Sequence, residues 1–251
     1  MPIHHSDIQQ PPASHGAPSI LVRNLHFRYP DGFHALRGVS VAVAPGELVA
    51  LLGPNGAGKS TFMLHLNGLL EGEGESCIAG LPLTDEHLPQ IRAKVGMVFQ
   101  SPDDQLFSPT VFDDVAFGPL HMGHDEREVR RRVAEALEMV GMVGFANRLP
   151  FHLSVGQKKR VSLATVLAMH PDVLVLDEPS AGLDPRGRRQ LIELLDDMPL
   201  TMLISTHDMR LVEELFPRVL VMDEGQIIYD GDTAPILADD AFLEAHGLER
   251  P

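Results

Sequence analysis

The chain has 251 residues, 44% hydrophobic and 22% charged, the balance of an ordinary folded protein with room for a well-buried core. Its 20 Lys+Arg against 35 Asp+Glu give a formal net charge of -15, which disfavours a general nucleic-acid coat protein but leaves room for a local basic pocket. Cys77 is the single cysteine, so an intramolecular disulfide framework and a multi-cysteine zinc cluster are excluded.

In chain order, residues 1–18 read as a flexible tail. Pro11, Pro12 and Pro18 accompany His4, His5 and His15, and the basic and apolar regions of a secretory signal are missing. The three histidines could weakly hold a transition metal. Ile20–Tyr29 and Val39–Val43 alternate like strands around the turn Pro30-Asp31-Gly32. Glu47–Leu52 is a short apolar run ending in a Gly-rich loop, and a helical stretch from Gly58 to about Leu69 follows. Further apolar strands are expected at Lys94–Phe99, Asp172–Leu176, Leu200–Ser205 and Arg218–Met222. Helical patterns at Arg186–Met198 and Asp208–Phe216 separate the last three, which argues a parallel sheet covered on both faces. Between Ser101 and Met169 no strand pattern occurs. Val129, Val133, Leu137 and Val140 make one helical stripe within Asp125–Gly141, and a second helix is expected over Ser154–Met169. No apolar run approaches the ~18–20 residues of a membrane span, so a cytoplasmic location is expected, with any membrane role acting through a partner.

Gly53-Pro-Asn-Gly-Ala-Gly-Lys-Ser60 fits the phosphate-binding pattern G-x-x-x-x-G-K-[ST]. Its glycines let backbone N–H groups curl around a phosphate chain at the positive end of the following helix. Lys59 adds a charge for the β- and γ-phosphates, and Ser60 offers a hydroxyl to Mg²⁺. Asp172–Leu176 runs into Asp177 and Glu178; the first is placed to hold the cation and the second to polarise a water. Alone, the pair could equally be a solvated acidic turn. Ser154 opens a helix with Gly156 and Gln157, either as a second anion site or as a simple cap. His207 follows a strand end, where it can reach a ligand above the sheet.

Together these segments resemble the nucleotide-binding subunit of ABC transporters. In order come the P-loop at Gly53–Thr61, a glutamine loop at Gln100 and the signature at Leu153–Gln157. The acidic pair Asp177–Glu178, the D-loop Ser180-Ala-Gly-Leu-Asp184 and the switch histidine His207 follow. The resemblance covers most of residues 20–230. It implies an α/β P-loop NTPase core with a parallel sheet, an N-terminal antiparallel β subdomain and an inserted α-helical subdomain at about 101–169. That module would span 19–235, leaving 236–251 as a short C-terminal extension. It further implies ATP and Mg²⁺ as ligands: Tyr29 would stack on adenine, while Asn55, Gly56, Gly58, Lys59, Ser60 and Thr61 would hold the phosphates. Ser60, Gln100 and Asp177 would hold Mg²⁺, Glu178 would be the catalytic base, and His207 would contact the γ-phosphate. Ser154, Gly156, Gln157 and Asp184 would act on nucleotide held by an opposite ATPase subunit, most simply a second copy. Val155 departs from the family, which usually has Gly there. A Cβ at that point would crowd the backbone's approach to phosphate.

Phe99–Phe107 with Thr110–Pro119 resembles the energy-coupling-factor importers of vitamins and metals, and Lys158-Lys159-Arg160-Val161 with Leu167-Ala-Met169 resembles the same subgroup and especially its cobalt-transport ATPases. That likeness implies a place at the cytoplasmic face of the cell membrane. Its partners would be a membrane coupling protein, whose arginines Asp103 and Asp104 would receive, and a substrate-binding membrane protein. Nickel or a vitamin are alternative cargoes. Relatives acting on nucleic acid or ribosomes usually carry paired modules, a zinc insertion or a long coiled coil, and this chain has none. A non-hydrolysing regulatory role is disfavoured because Asp177, Glu178 and His207 are all present.

Overall fold

A computed structural model describes residues 17–248, so His4, His5 and His15 lie outside the described residues. The chain begins with β1 (Ile20–Arg28), β2 (His34–Val43), β3 (Leu48–Leu52), α1 (Lys59–His65), β4 (Glu73–Ile78), β5 (Leu81–Pro82), α2 (Leu88–Lys94) and β6 (Val95–Val98). A helical stretch follows, with α3 (Val111–His121), α4 (Glu126–Met139) and α5 (Val155–Leu167). The last third alternates as β7 (Val173–Asp177), α6 (Pro185–Asp196), β8 (Thr201–Ser205), α7 (Met209–Leu215) and β9 (Arg218–Asp223). It closes with β10 (Gln226–Asp232), α8 (Thr233–Leu237) and α9 (Asp240–Ala245).

One sheet has the order β2-β1-β4-β5 and is antiparallel. The other has the order β10-β9-β3-β8-β7-β6, parallel except for the antiparallel edge strand β10. Central strands are buried on both faces, and strand periodicity divides their side chains between two cores. Ala50 and Leu52 of β3, with Leu174 and Leu176 of β7, face the core under the helical stretch. Val49 and Leu51, with Val173 and Val175, face the core between the sheets and α1. Complete burial of such aliphatic side chains contributes about 1.5–3 kcal/mol each, so the central sheet is a stiff base.

The register sets where the site falls. Leu51 lies opposite Ser205 and Ser205 lies opposite Asp177, so β3, β8 and β7 end level with one another. Their following loops therefore leave one edge of the sheet together, the place where open α/β sheets take ligands.

The helical stretch is capped as its sequence suggests. Asp125 accepts from the Glu128 N–H at 2.9 Å at the start of α4, and Gly141 beyond its end takes a positive φ of 67°. The 235/236 boundary falls inside α8, and Leu243 and Leu248 are buried in the same core as the sheet. The described residues after 235 thus pack as part of the α/β unit. His246 Nδ1 lies 2.8 Å from Asp223 Oδ2 and fastens α9 to the end of β9.

Candidate functional site

A cavity of about 220 Å³ opens where the strand ends meet. Ten of the expected residues line it: Asn55, Gly56, Gly58, Lys59, Ser60 and Thr61 from the P-loop, with Gln100, Asp177, Glu178 and His207 from three other segments. The loop is shaped by its backbone. Gly53 has φ 141°, and a Cβ there would come within 2.0 Å of the Met222 carbonyl oxygen, so no side chain fits where the loop passes β9.

Lys59 begins α1 and is buried. Its Nζ donates to the Gly53 carbonyl at 2.6 Å and the Pro54 carbonyl at 3.1 Å, and lies 3.4 Å from His207 Nε2. Burial pulls its pKa down, while the nearby carboxylates of Glu178 and Asp177 oppose the fall. The ammonium therefore sits at the cavity wall with a desolvation cost that a phosphate oxygen would relieve.

Ser60 Oγ donates to Asp177 Oδ2 at 2.8 Å, and Asp177 Oδ1 accepts from Ser205 Oγ in a very short bond. A hydroxyl from the P-loop and a carboxylate from the end of β7 thus converge, and Gln100 lines the same cavity. Among the described residues no group of three or more His, Cys, Asp or Glu could hold a metal by itself. This donor set fits Mg²⁺, which characteristically takes one or two protein oxygens and completes its shell with phosphate and water.

Glu178 is buried and has φ 47°, a left-handed backbone that costs a glutamate about 1–3 kcal/mol. Its N–H donates to the Ser205 carbonyl at 3.1 Å and faces Ser205 Oγ at 3.2 Å. Its Oε2 accepts from the His207 N–H at 3.3 Å. Its Oε1 lies 3.3 Å from His207 Nε2 without hydrogen-bond geometry. The strained turn aims the carboxylate at the cavity beside the histidine.

Tyr29 stands just outside this group. Its hydroxyl is 3.0 Å from Thr61 Oγ1 and its ring meets Phe27 edge-on, whereas the aromatic on the cavity wall is Phe33. Sequence reasoning missed Phe33. Its signal is the tight turn that pairs the Tyr29 N–H with the Phe33 carbonyl at 2.9 Å, carrying the second aromatic over the P-loop.

Ser154, Gly156, Gln157 and Asp184 are not brought to the P-loop of their own chain. They line a second cavity of about 540 Å³ that shares no lining residue with the first. Ser154 and Gln157 form a reciprocal capping box on α5: the Gln157 N–H donates to Ser154 Oγ at 3.4 Å and the Ser154 N–H to Gln157 Oε1 at 2.9 Å. Asp184 likewise caps α6 through the Gly187 N–H at 2.7 Å. Val155 opens α5 without a positive φ and is 53% exposed, so its Cβ brings no backbone strain. Any crowding would fall on what approaches the helix end.

A family model described as ABC transporter matches residues 36–181, more than half of the chain. The chain belongs to the ABC transporter family. It is 55% identical over 241 residues to a Streptomyces avermitilis protein named as an ABC transporter ATP-binding protein, covering 96% of this chain and 92% of that one. It is 50% identical over 235 residues to the energy-coupling factor transporter ATP-binding protein EcfA of Methanocaldococcus jannaschii, covering 91% and 84%. Among solved structures, cbiO1 from Clostridium perfringens, part of the ABC transporter complex cbiONQ, superposes with a TM-score of 0.80 at 38% identity, covering 92% of this chain and 94% of that one. A dimeric ATP-binding cassette bound to ADP and Pi matches with a TM-score of 0.77 at 28% identity over 85% of this chain and 98% of its own.

The structure also gives the expected docking acids different settings. Both are exposed, but Asp103 accepts from Lys158 Nζ at 2.6 Å in an intrachain ion pair. Gln105, missed in the sequence, spans the two parts. It accepts from the Phe99 N–H at 3.3 Å, and its amide donates to the Ser162 carbonyl at 2.8 Å and lies 2.7 Å from Thr165 Oγ1. No periodicity announces a contact across some sixty residues.

Proposed function

We propose that this chain is the ATP-binding and ATP-hydrolysing subunit of an energy-coupling-factor importer that works as a pair of ATPase subunits at the cytoplasmic face of the membrane, with cobalt as the cargo. The observation that carries the ATPase reading is the convergence of Lys59, Ser60, Asp177, Glu178 and His207 on one cavity, within a chain of the ABC transporter family. Family membership implies ATP hydrolysis; the cavity supplies parts for it.

Lys59 and the P-loop N–H groups would bind the β- and γ-phosphates of ATP at the start of α1. Ser60, Asp177 and Gln100 would hold Mg²⁺, which neutralises charge building on the phosphate oxygens when bound. Glu178 would take a proton from the attacking water, and His207 beside it would orient the γ-phosphate. The helix end at Ser154–Gln157 would be a second N-terminus to face an anion, and it lies in a separate cavity from the P-loop. A second subunit presenting that surface would complete the site, and binding and release would close and open the pair.

The partner reading rests on the energy-coupling-factor name of a 50% identical relative and on the helical subdomain's surface. Phe107 is 68% exposed and meets the half-exposed Phe117 edge-on at 5.2 Å beside Asp104 and the loop after Gln100. An apolar helix bearing an arginine suits that surface. Among the described residues no helix is long and apolar enough to cross a membrane, so a partner would supply the spans. Cobalt rests on the likeness to cobalt-transport ATPases in residues 158–161 and 167–169. Gentle isolation of the native complex from membranes, with mass spectrometry of its partners, tests this. A small multispanning protein with arginine-bearing cytoplasmic helices and a metal-binding membrane protein are expected. A vitamin-binding membrane protein would replace the cargo, and only soluble or ribosomal partners would overturn the transport role.

A further inference from the structure

Lys159 lies on the first turns of α5, one turn after Val155, and its contacts leave the helix entirely. Its Nζ donates to the Glu178 carbonyl oxygen at 2.8 Å and reaches the Gln100 carbonyl oxygen at 3.5 Å. Those two carbonyls belong to different loops on the wall of the phosphate cavity. The opposite end of the Glu178 residue is tied to β8 through its N–H and Ser205. Glu178 is therefore held at both ends, by the sheet at the amide and, at the carbonyl, by the helical subdomain through Lys159 together with the Ala181 N–H of its own turn at 3.2 Å. A left-handed backbone at φ 47° is kept only where its surroundings hold it.

The charges around Lys159 narrow its role. Burial pulls the pKa of its ammonium down and the carboxylates of Glu178 and Asp177 oppose the fall, yet its hydrogen bonds go to backbone carbonyls. The neighbouring Lys158 points instead to Asp103 and over the Phe151 ring. Two adjacent lysines thus do different work, and only Lys159 reaches the peptide that carries the candidate base.

We infer that Lys159 is a positioning residue: through the Glu178 carbonyl it sets the direction of the Glu178 carboxylate from helix α5, so the aim of the base follows the position of the helical subdomain. This rests on the reading of Glu178 as the base of an ATPase. ATP itself need not touch Lys159. Removing it should leave nucleotide binding intact and slow the chemical step.

Steady-state ATPase of the full chain with Mg²⁺ is the test, comparing wild type, Lys159→Met and Lys159→Arg. Loss of one charge-assisted hydrogen bond predicts a kcat about tenfold lower for Lys159→Met, with KM for ATP within about twofold of wild type. Arginine keeps the charge and the donors and should restore most of kcat. Should the methionine variant fail to fold, Lys159→Gln, with a shorter neutral donor, should give a smaller loss of kcat with the same unchanged KM. A Lys159→Met or Lys159→Gln enzyme with wild-type kcat would overturn the inference. So would kcat and KM changing together without rescue by arginine. A wild-type chain without Mg²⁺-dependent ATPase would overturn the reading of Glu178 first, and this inference with it.

Discussion

Two cavities of this chain, both proposed as anion sites, are built by different rules. The phosphate cavity is made of strand ends: three level strands deliver a P-loop, an acidic pair and a histidine to one point. The signature surface is a helix N-terminus whose polar side chains are already engaged, Ser154 and Gln157 with each other and Asp184 with α6. The first surface holds strained or desolvated groups, Glu178 at φ 47° and a buried Lys59. Among the signature residues the backbone carries no positive φ. A strained Glu178 backbone thus marks the half proposed for chemistry, and a capped helix end the half proposed for recognition.

Mutations should separate the halves. The largest effect is expected from Glu178→Gln, which should lower kcat by ~10²–10⁴-fold while ATP affinity stays close to wild type. Unchanged steady-state turnover would remove Glu178 as the base. Lys59→Ala should weaken ATP binding by about a hundredfold, read by equilibrium titration, because it removes a charge-assisted contact to phosphate. Ser154→Ala belongs to the other half. Nucleotide affinity of the isolated subunit should be unchanged, while the lost cap costs about 1 kcal/mol of stability and ATP-driven association weakens. If Ser154→Ala instead weakened ATP binding by the isolated subunit, the division between the surfaces would be wrong.

The smallest effect concerns pH. His65 closes the P-loop helix, fully buried, with Nδ1 2.7 Å from the Thr61 carbonyl and Nε2 unpartnered. Burial lowers its pKa from the ordinary 6.5, so the unfolded chain binds its proton more readily than the folded one. Its contribution is complete above about pH 6.5 and is lost as the pH falls below that, through the lower folded value. Chemical denaturation across this range should show a shallower acid slope for His65→Leu than for wild type.

Much of this was legible in the sequence because the deciding signals are local. The apolar runs at 47–52, 172–176 and 200–205 became β3, β7 and β8 within a residue or two, and the loops between them carried recognisable residues. Two of the strands were not legible. β4, Glu73–Ile78, is mostly polar and contains Gly74, and β10 contains Gly231 among acidic residues, so neither shows the apolar alternation of a half-buried strand. Helix α3 hides behind Gly118 and Pro119, although Thr110 caps it through the Asp113 N–H at 3.1 Å. Within the site, residue identity located the P-loop and the acidic pair. It could not locate Lys159 or Gln105, because both act by reaching distant backbone carbonyls, and sequence spacing carries no trace of such contacts.

On the proposed reading, one chain holds two halves of a site that meet only between copies. Sedimentation of the Glu178→Gln protein, with and without ATP, tests it most directly, since hydrolysis cannot then dissolve the pair. A monomer without nucleotide that becomes a dimer with ATP, and stays monomeric when Lys59→Ala is added, is the predicted result. A chain saturated with ATP that remains monomeric would contradict the account.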